Sequence, residues 1–253
     1  MPSLTQQEGS TSGPRRNQCP SDAPTLEEYQ RRIQLFLGES RCTEADIAAQ
    51  SPVRILDEPF GQTVFFLKNL YDINDQINIV WDYTPNGPDK AAPTGYGKTQ
   101  SMGEWVGRDF YNTHEVPQSA AGAWIRMNPL NGQGISNRDV ESHRFTLVEF
   151  DFLPVEEQLA FFARIKLPIA ALVLSGGRSV HAWVRVGASS AKIYTERVNA
   201  IFKWLRAFGI DQANKNPNRL ARLPGAIRTI GAVGQGIQKL LYLNPNPSSE
   251  GLT

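Results

Sequence analysis

Two short stretches carry side chains whose types and spacing could do chemistry. In TLVEFDFL, residues 146–153, a strand would project Glu149 and Asp151 from one face, because strand side chains alternate. Phe145 and Leu147 precede them on that face, and Val148, Phe150 and Phe152 take the other. Like charges on a strand otherwise apolar on both sides are costly unless a cation joins them, and a divalent metal would do so. Acids two apart also mark a solvated strand face, and the stretch alone leaves both readings open. In SGGRSVHAWV, residues 175–184, Ser179 and His181 again stand two apart, directly after a turn of Gly176, Gly177 and Arg178. A hydroxyl, an imidazole and turn N–H groups on one side suit a phosphate chain. A plain hairpin with a satisfied histidine is the alternative. A Ser–His hydrolase is disfavoured, since no G-x-S-x-G elbow is present and two residues on one strand seldom reach each other.

A third stretch, GIDQANKNPNRLARLPGAIR, residues 209–228, sets Asp211 before Lys215, Arg219, Arg222 and Arg228 in a chain broken by Pro217 and Pro224. Arginines among Asn, Pro and Gly fit a loop that grips phosphates or a nucleic-acid backbone, or a solvated basic loop. A fourth stretch, APTGYGKT, residues 92–99, matches a helicase-type variant of the phosphate-gripping P-loop. Its context argues against that role: TPNGPDKA precedes it where a buried strand is required. A glycine turn ahead of a short helix is the favoured reading.

These residues need elements to position them. TLEEYQRRIQLFL opens with a Thr25–Glu28 capping box and carries Tyr29, Ile33 and Phe36 at helical spacing. A second helix is expected over FGQTVFFLKNLY, a strand over QINIVWDY, a Pro/Gly loop over 84–98, a short helix over SMGEWVGRDFY and a strand over AGAWIRMNPL. From residue 143 the pattern is strand (RFTLVEFDFL), helix (PVEEQLAFFARI, Pro154 in its first turn), two strands joined at Ser-Gly-Gly-Arg, helix (AKIYTERVNAIFKWLRAFG) and strand (QKLLYL). That order predicts an α+β sheet with helices on one face, close to the ferredoxin or RNA-recognition-motif arrangement.

With 40% hydrophobic and 20% charged residues, the 253-residue chain has the composition of a globular protein. Its formal charge of +1 leaves nucleic-acid binding to local clusters of arginine. Two cysteines, Cys19 and Cys42, and three histidines, His114, His143 and His181, show no paired spacing for zinc. No apolar run is long enough to span a membrane, and the polar N-terminus has no signal-peptide core. A cytoplasmic location is the expectation.

Taken in order, the acid pair Glu149-Phe150-Asp151, then Ser179-Val180-His181, then Ile210-Asp211 resemble the three motifs of the archaeo-eukaryotic primase superfamily: acid-x-acid, Ser-x-His, and an apolar residue before Asp. The surrounding sequence looks like the primase-polymerases of phages, plasmids and related mobile elements. The resemblance covers about residues 120–243, and GYGKTQSMGEWV resembles the N-terminal module of that group more loosely. Glu149 departs from the more usual Asp, and Arg178 is a local variation.

Polar composition makes 1–24 read as a flexible tail and the Pro/Ser-rich 245–253 as linker-like. The resemblance implies an N-terminal α/β module over 25–142 and an RNA-recognition-motif-like catalytic module over 143–244. It implies a cleft between the modules. There Glu149, Asp151 and Asp211 would be catalytic and hold two Mg²⁺ or Mn²⁺ ions, with no zinc. Ser179 and His181 would bind the triphosphate, with Arg178, Arg222, Arg228 and Lys239 as further phosphate or template contacts. The implied activity is that of a DNA primase, a DNA polymerase or both, joining NTPs or dNTPs on single-stranded DNA, without membrane association. A helicase would act with it, fused or separate. The alternatives are a replication initiator that binds DNA without catalysis, and a P-loop ATPase.

Overall fold

The computed structural model describes residues 24–107 and 117–248. The polar tail before residue 24, Cys19, His114, the end of the SMGEWVGRDFY stretch and the last five residues lie outside the described residues.

The chain begins with α1 (Leu26–Leu37), α2 (Glu44–Ala49) and α3 (Pro59–Leu70). Next come β1 (Gln76–Val80), β2 (Tyr83–Pro85), β3 (Ala91–Pro93), β4 (Lys98–Ser101), α4 (Met102–Trp105) and β5 (Trp124–Arg126). The second half holds β6 (His143–Val148), α5 (Val155–Arg164), β7 (Ile169–Leu174), β8 (Val180–Ala188), α6 (Ala191–Leu205), β9 (Leu220–Arg222) and β10 (Leu240–Leu243). The Thr25–Glu28 box starts α1 as expected: Thr25 N–H donates to Glu28 Oε2 at 2.7 Å and Glu28 N–H to Thr25 Oγ1 at 3.3 Å.

Two antiparallel four-stranded sheets form the body. One runs β4-β1-β5-β9 and the other β10-β7-β8-β6, with β2 and β3 as a separate hairpin. The second sheet bears out the α+β expectation, with α1, α2, α5 and α6 on one face. Val180, Ala182 and Val184 of β8 point to that face and pack with Ile33 of α1, Phe161 of α5 and Phe202 of α6. Phe145 and Trp183 point the other way, among Phe66 of α3 and Ile77, Ile125 and Ala221 of the first sheet. A sheet buried on both faces explains why these strands read as nearly continuous apolar runs.

The two sheets do not divide the sequence at residue 142. The helices α1 and α2 pack on the second sheet, while β9, late in the chain, pairs with β5 and completes the first. The strand expected over RFTLVEFDFL ends at Val148, so Glu149 and Asp151 lie in the turn beyond it. Pro154 caps α5 from outside, because a ring without an N–H is tolerated there and the helix ladder starts after it.

Candidate active site

The ends of β6, β8 and β9 converge where the first sheet meets the second. Glu149 is mostly buried and has three polar neighbours. His181 Nε2 lies 3.1 Å from its Oε2, Asn214 Nδ2 donates to its Oε1 at 3.0 Å, and Arg219 Nη2 stands 3.9 Å from Oε1. His181 Nδ1 accepts from the Arg222 backbone N–H at 3.1 Å, which places the ring proton on Nε2 and aims it at Glu149. Burial would push the Glu149 carboxyl up, but His181, Asn214 and Arg219 outweigh it and bring it down to about 2.

Asp211 joins this cluster through its backbone, its N–H donating to the Glu149 carbonyl at 3.2 Å. Asp151 is exposed beside them. Burial first, and then the charges of Glu149 and Asp211, raise its carboxyl above the ordinary value. The structure thus brings together the three acids singled out in the sequence. It does so by turns from two distant segments, not by alternation along one strand.

The β7–β8 turn closes with Ser175 N–H donating to the Ser179 carbonyl at 2.9 Å, while Ser175 Oγ accepts from the N–H groups of Gly177 and Ser179. Gly176 (φ +70°) is required, because a Cβ there would lie 2.4 Å from the Gly236 carbonyl oxygen. Gln158, fully buried on α5, braces this turn against the acid turn. Its amide donates to Leu153 O at 2.7 Å and Arg178 O at 2.9 Å, and its carbonyl accepts from Val180 N–H at 2.8 Å.

A cleft of about 950 Å³ opens here, lined by Glu149, Ser179 and His181. Six cationic residues line it, Lys90, Arg126, Arg178, Arg219, Arg222 and Arg228, against the two acids Asp89 and Glu149. Asp151 and Asp211 stand beside Glu149 and outside that lining. Arg126, Arg222 and Arg228 are buried, yet none forms an ion pair among the described residues. Backbone and amide oxygens hold them instead. Arg222 donates to Ala121 O at 2.5 Å, Arg228 to Ile230 O at 2.7 Å, and Arg126 to Asn78 Oδ1 at 3.0 Å. Arg222 also stacks 4.2 Å above Trp124, its cross-strand partner. Burial, then the neighbouring Arg228, brings the Arg222 guanidinium down to about 9, and burial alone lowers Arg126 and Arg228. Buried cations without anions of their own suit a polyanionic ligand.

Lys239 is not part of the cleft. Its Nζ pairs with Glu44 of α2 at 2.8 Å, on the helical side of the second sheet. The P-loop reading of APTGYGKT fails on geometry, since Lys98 opens strand β4 and no helix starts at its amide. Asn78 donates to Thr99 Oγ1 at 2.9 Å, and Lys98 Nζ lies 5.8 Å over the Trp105 ring. Sequence reasoning missed Arg126, Asn78, Trp124, Asn214 and Gln158. For Arg126 there was a signal, a cation alternating with Ile125 and Met127 on an apolar strand. Gln158 offered none.

Three carboxylates in one neighbourhood are the donor type that a hard divalent cation takes, and burial first, then the charges of Glu149 and Asp211, raise Asp151 among them. As the side chains stand, no three His, Cys, Asp or Glu groups among the described residues are gathered around one point. Among the described residues no helix is long and apolar enough to cross a membrane.

No family model matches this chain, and no curated protein matches it. Among solved structures it is similar to the AEP domain of the cyanophage S-2L primase-polymerase, with 19% identity and a TM-score of 0.45, over 74% of this chain and 92% of that one. It is also similar to the catalytic domain of primase RepB′ in complex with initiator DNA (16% identity, TM-score 0.39, over 68% of this chain and 79% of that one). A further structure of primase RepB′ shows 15% identity and a TM-score of 0.42, over 74% of this chain and 56% of that one.

Proposed function

We propose that this chain is a template-directed nucleotidyltransferase of the archaeo-eukaryotic primase type, a DNA primase, a DNA polymerase or both, serving the replication of a mobile element. One observation carries the reading. Glu149, Ser179 and His181 line one cleft, Asp151 and Asp211 stand beside Glu149 at its edge, and the same cleft holds three buried arginines that form no ion pair among the described residues.

In this reading the cleft binds the triphosphate of an NTP or dNTP. Arg222 and Arg228 supply fixed positive charge, and Ser179 with the Gly176–Gly177 turn supplies hydroxyl and N–H donors. Arg178 and Arg126 extend that surface towards a single-stranded DNA template or primer. Glu149, Asp151 and Asp211 would hold two Mg²⁺ or Mn²⁺ ions, which would supply charge neutralisation at the phosphates and activation of a 3′-hydroxyl. His181 keeps the Glu149 carboxylate ionised and pointed into the cleft. Asp211 is tied to the same place through the Glu149 carbonyl. A helicase, fused or separate, is the proposed working partner.

The test is a primer-template assay with labelled dNTPs and NTPs in Mg²⁺ and in Mn²⁺. Extension that is lost in Asp151→Ala is the expected result. No incorporation under either metal, with DNA binding retained in Asp151→Ala, would replace this reading with a non-catalytic initiator.

A further inference from the structure

Arg219 stands between two of the carboxylates that the reading above assigns to a cation. Its Nη2 is 3.7 Å from Asp211 Oδ2 and 3.9 Å from Glu149 Oε1. Neither approach is the short paired contact of a guanidinium–carboxylate fork, and its Nε is shielded from water without a partner. Charge therefore holds the guanidinium more than hydrogen bonding does. Arg222, Arg228 and Arg126 differ, each pinned by an oxygen within about 3 Å. Arg219 is also the least buried of these four, with 32% of its side chain exposed, and it lines the same cleft. It can reach two sets of anions, the acids behind it and a polyanion in front. A guanidinium does not shed its proton, so its charge moves with it.

We propose that Arg219 is the exchangeable counter-ion of the acidic cluster. It balances Glu149 and Asp211 when no divalent cation does, and it passes to the phosphates of a nucleoside triphosphate when a divalent cation takes the carboxylates. The inference rests on the nucleotidyl-transfer reading. It adds that cation and triphosphate favour each other's binding, since each removes the other's competitor for Arg219. It also gives the cluster a reason to be stable without three ligands around one point.

The experiment uses the full chain as wild type, Arg219→Gln and Arg219→Lys. Mn²⁺ binding without nucleotide is followed by the electron paramagnetic resonance of free Mn²⁺, and inorganic tripolyphosphate binding in EDTA is followed by calorimetry. Arg219→Gln is expected to bind Mn²⁺ about tenfold more tightly and tripolyphosphate about tenfold more weakly. Arg219→Lys keeps the charge and is expected to stay within about threefold of wild type on both, which separates charge from misfolding. If Arg219→Gln binds Mn²⁺ no more tightly than a wild type that binds both probes, this inference fails alone. If the wild type binds neither probe, the nucleotidyl-transfer reading fails with it.

Discussion

His181 lies between the Glu149 side chain and the Arg222 backbone, with Nε2 at 3.1 Å from Glu149 Oε2 and Nδ1 accepting from Arg222 N–H at 3.1 Å. One ring thereby links the ends of β6, β8 and β9 and keeps a buried carboxylate ionised. The Glu149 carboxyl stands at about 2 in the fold against an ordinary 4.5, with burial opposing the shift and His181 leading the groups that produce it. Because the folded value is the lower one, this contribution to stability is fully present above about pH 4.5. It is lost as the pH falls from there through 2. Urea unfolding between pH 2 and 7 is expected to show the wild type losing roughly 2–3 kcal/mol more across that window than Glu149→Gln. Parallel profiles would show that the pair does not set acid stability.

Gln158 joins the acid turn to the glycine turn through three hydrogen bonds, all inside the protein. Gln158→Leu keeps the volume and leaves Leu153 O, Arg178 O and Val180 N–H unpaired. A loss of about 2–3 kcal/mol in chemical denaturation is expected. A loss below about 0.5 kcal/mol would mean that the turn holds itself.

The GYGKT stretch is a structural feature, and its Gly97 and Lys98 should respond to substitution to very different degrees. A Cβ at Gly97 (φ +61°) would lie 2.3 Å from the Ile79 carbonyl oxygen, backbone that cannot step aside. Gly97→Ala is expected to destabilise by about 2 kcal/mol or more. Lys98→Ala removes the contact over Trp105 and a positive charge near Glu104, and about 0.5–1 kcal/mol is expected. Thermal unfolding of the two variants checks the order. A severe loss of activity in Lys98→Ala with stability intact would restore a phosphate role for the lysine.

Arg222 is buried beside another cation, Arg228, an arrangement that costs the unliganded fold and that the triphosphate of the proposed function would relieve. Arg222→Leu is expected to leave stability within about 1 kcal/mol of wild type, since an unpaired buried charge is exchanged for apolar contact with Trp124. A dNTP at a hundred times its dissociation constant should stabilise the wild type by about 2.7 kcal/mol, or roughly 5–10 °C in thermal midpoint. That shift should vanish in Arg222→Leu. If the nucleotide shift survives, Arg222 is a packing residue.

Much of the secondary structure was legible because its signals are local. The Thr25–Glu28 box, the 3.6-residue spacing of Tyr29, Ile33 and Phe36, and the turn at Ser-Gly-Gly-Arg each depend on neighbours within a few residues. The end of β6 was misplaced because alternation continues past Val148 in residue type although the ladder stops there. Glu149, Ser179, His181 and Asp211 were visible as chemistry-bearing types at short spacing. Lys239 looked equally suitable, but its ion pair with Glu44 takes it to the opposite side of the sheet.

The sequence by itself determined the longer helices and strands, their apolar faces and the short motifs that could carry charge chemistry, because those properties depend on residue type and period. It did not show α2, the β2–β3 hairpin and β4 in and beside the loop expected over 84–98, or β9 in the basic loop, all too short to establish a period. Only the tertiary structure decided the pairings across long separations. It put β9 next to β5, so that Arg222 meets Trp124 and lends its N–H to His181. It laid α1 on a sheet formed more than a hundred residues later, and set Arg219 between Glu149 and Asp211. Such contacts follow from burying both faces of one sheet at once, a condition on the whole chain that no local window contains.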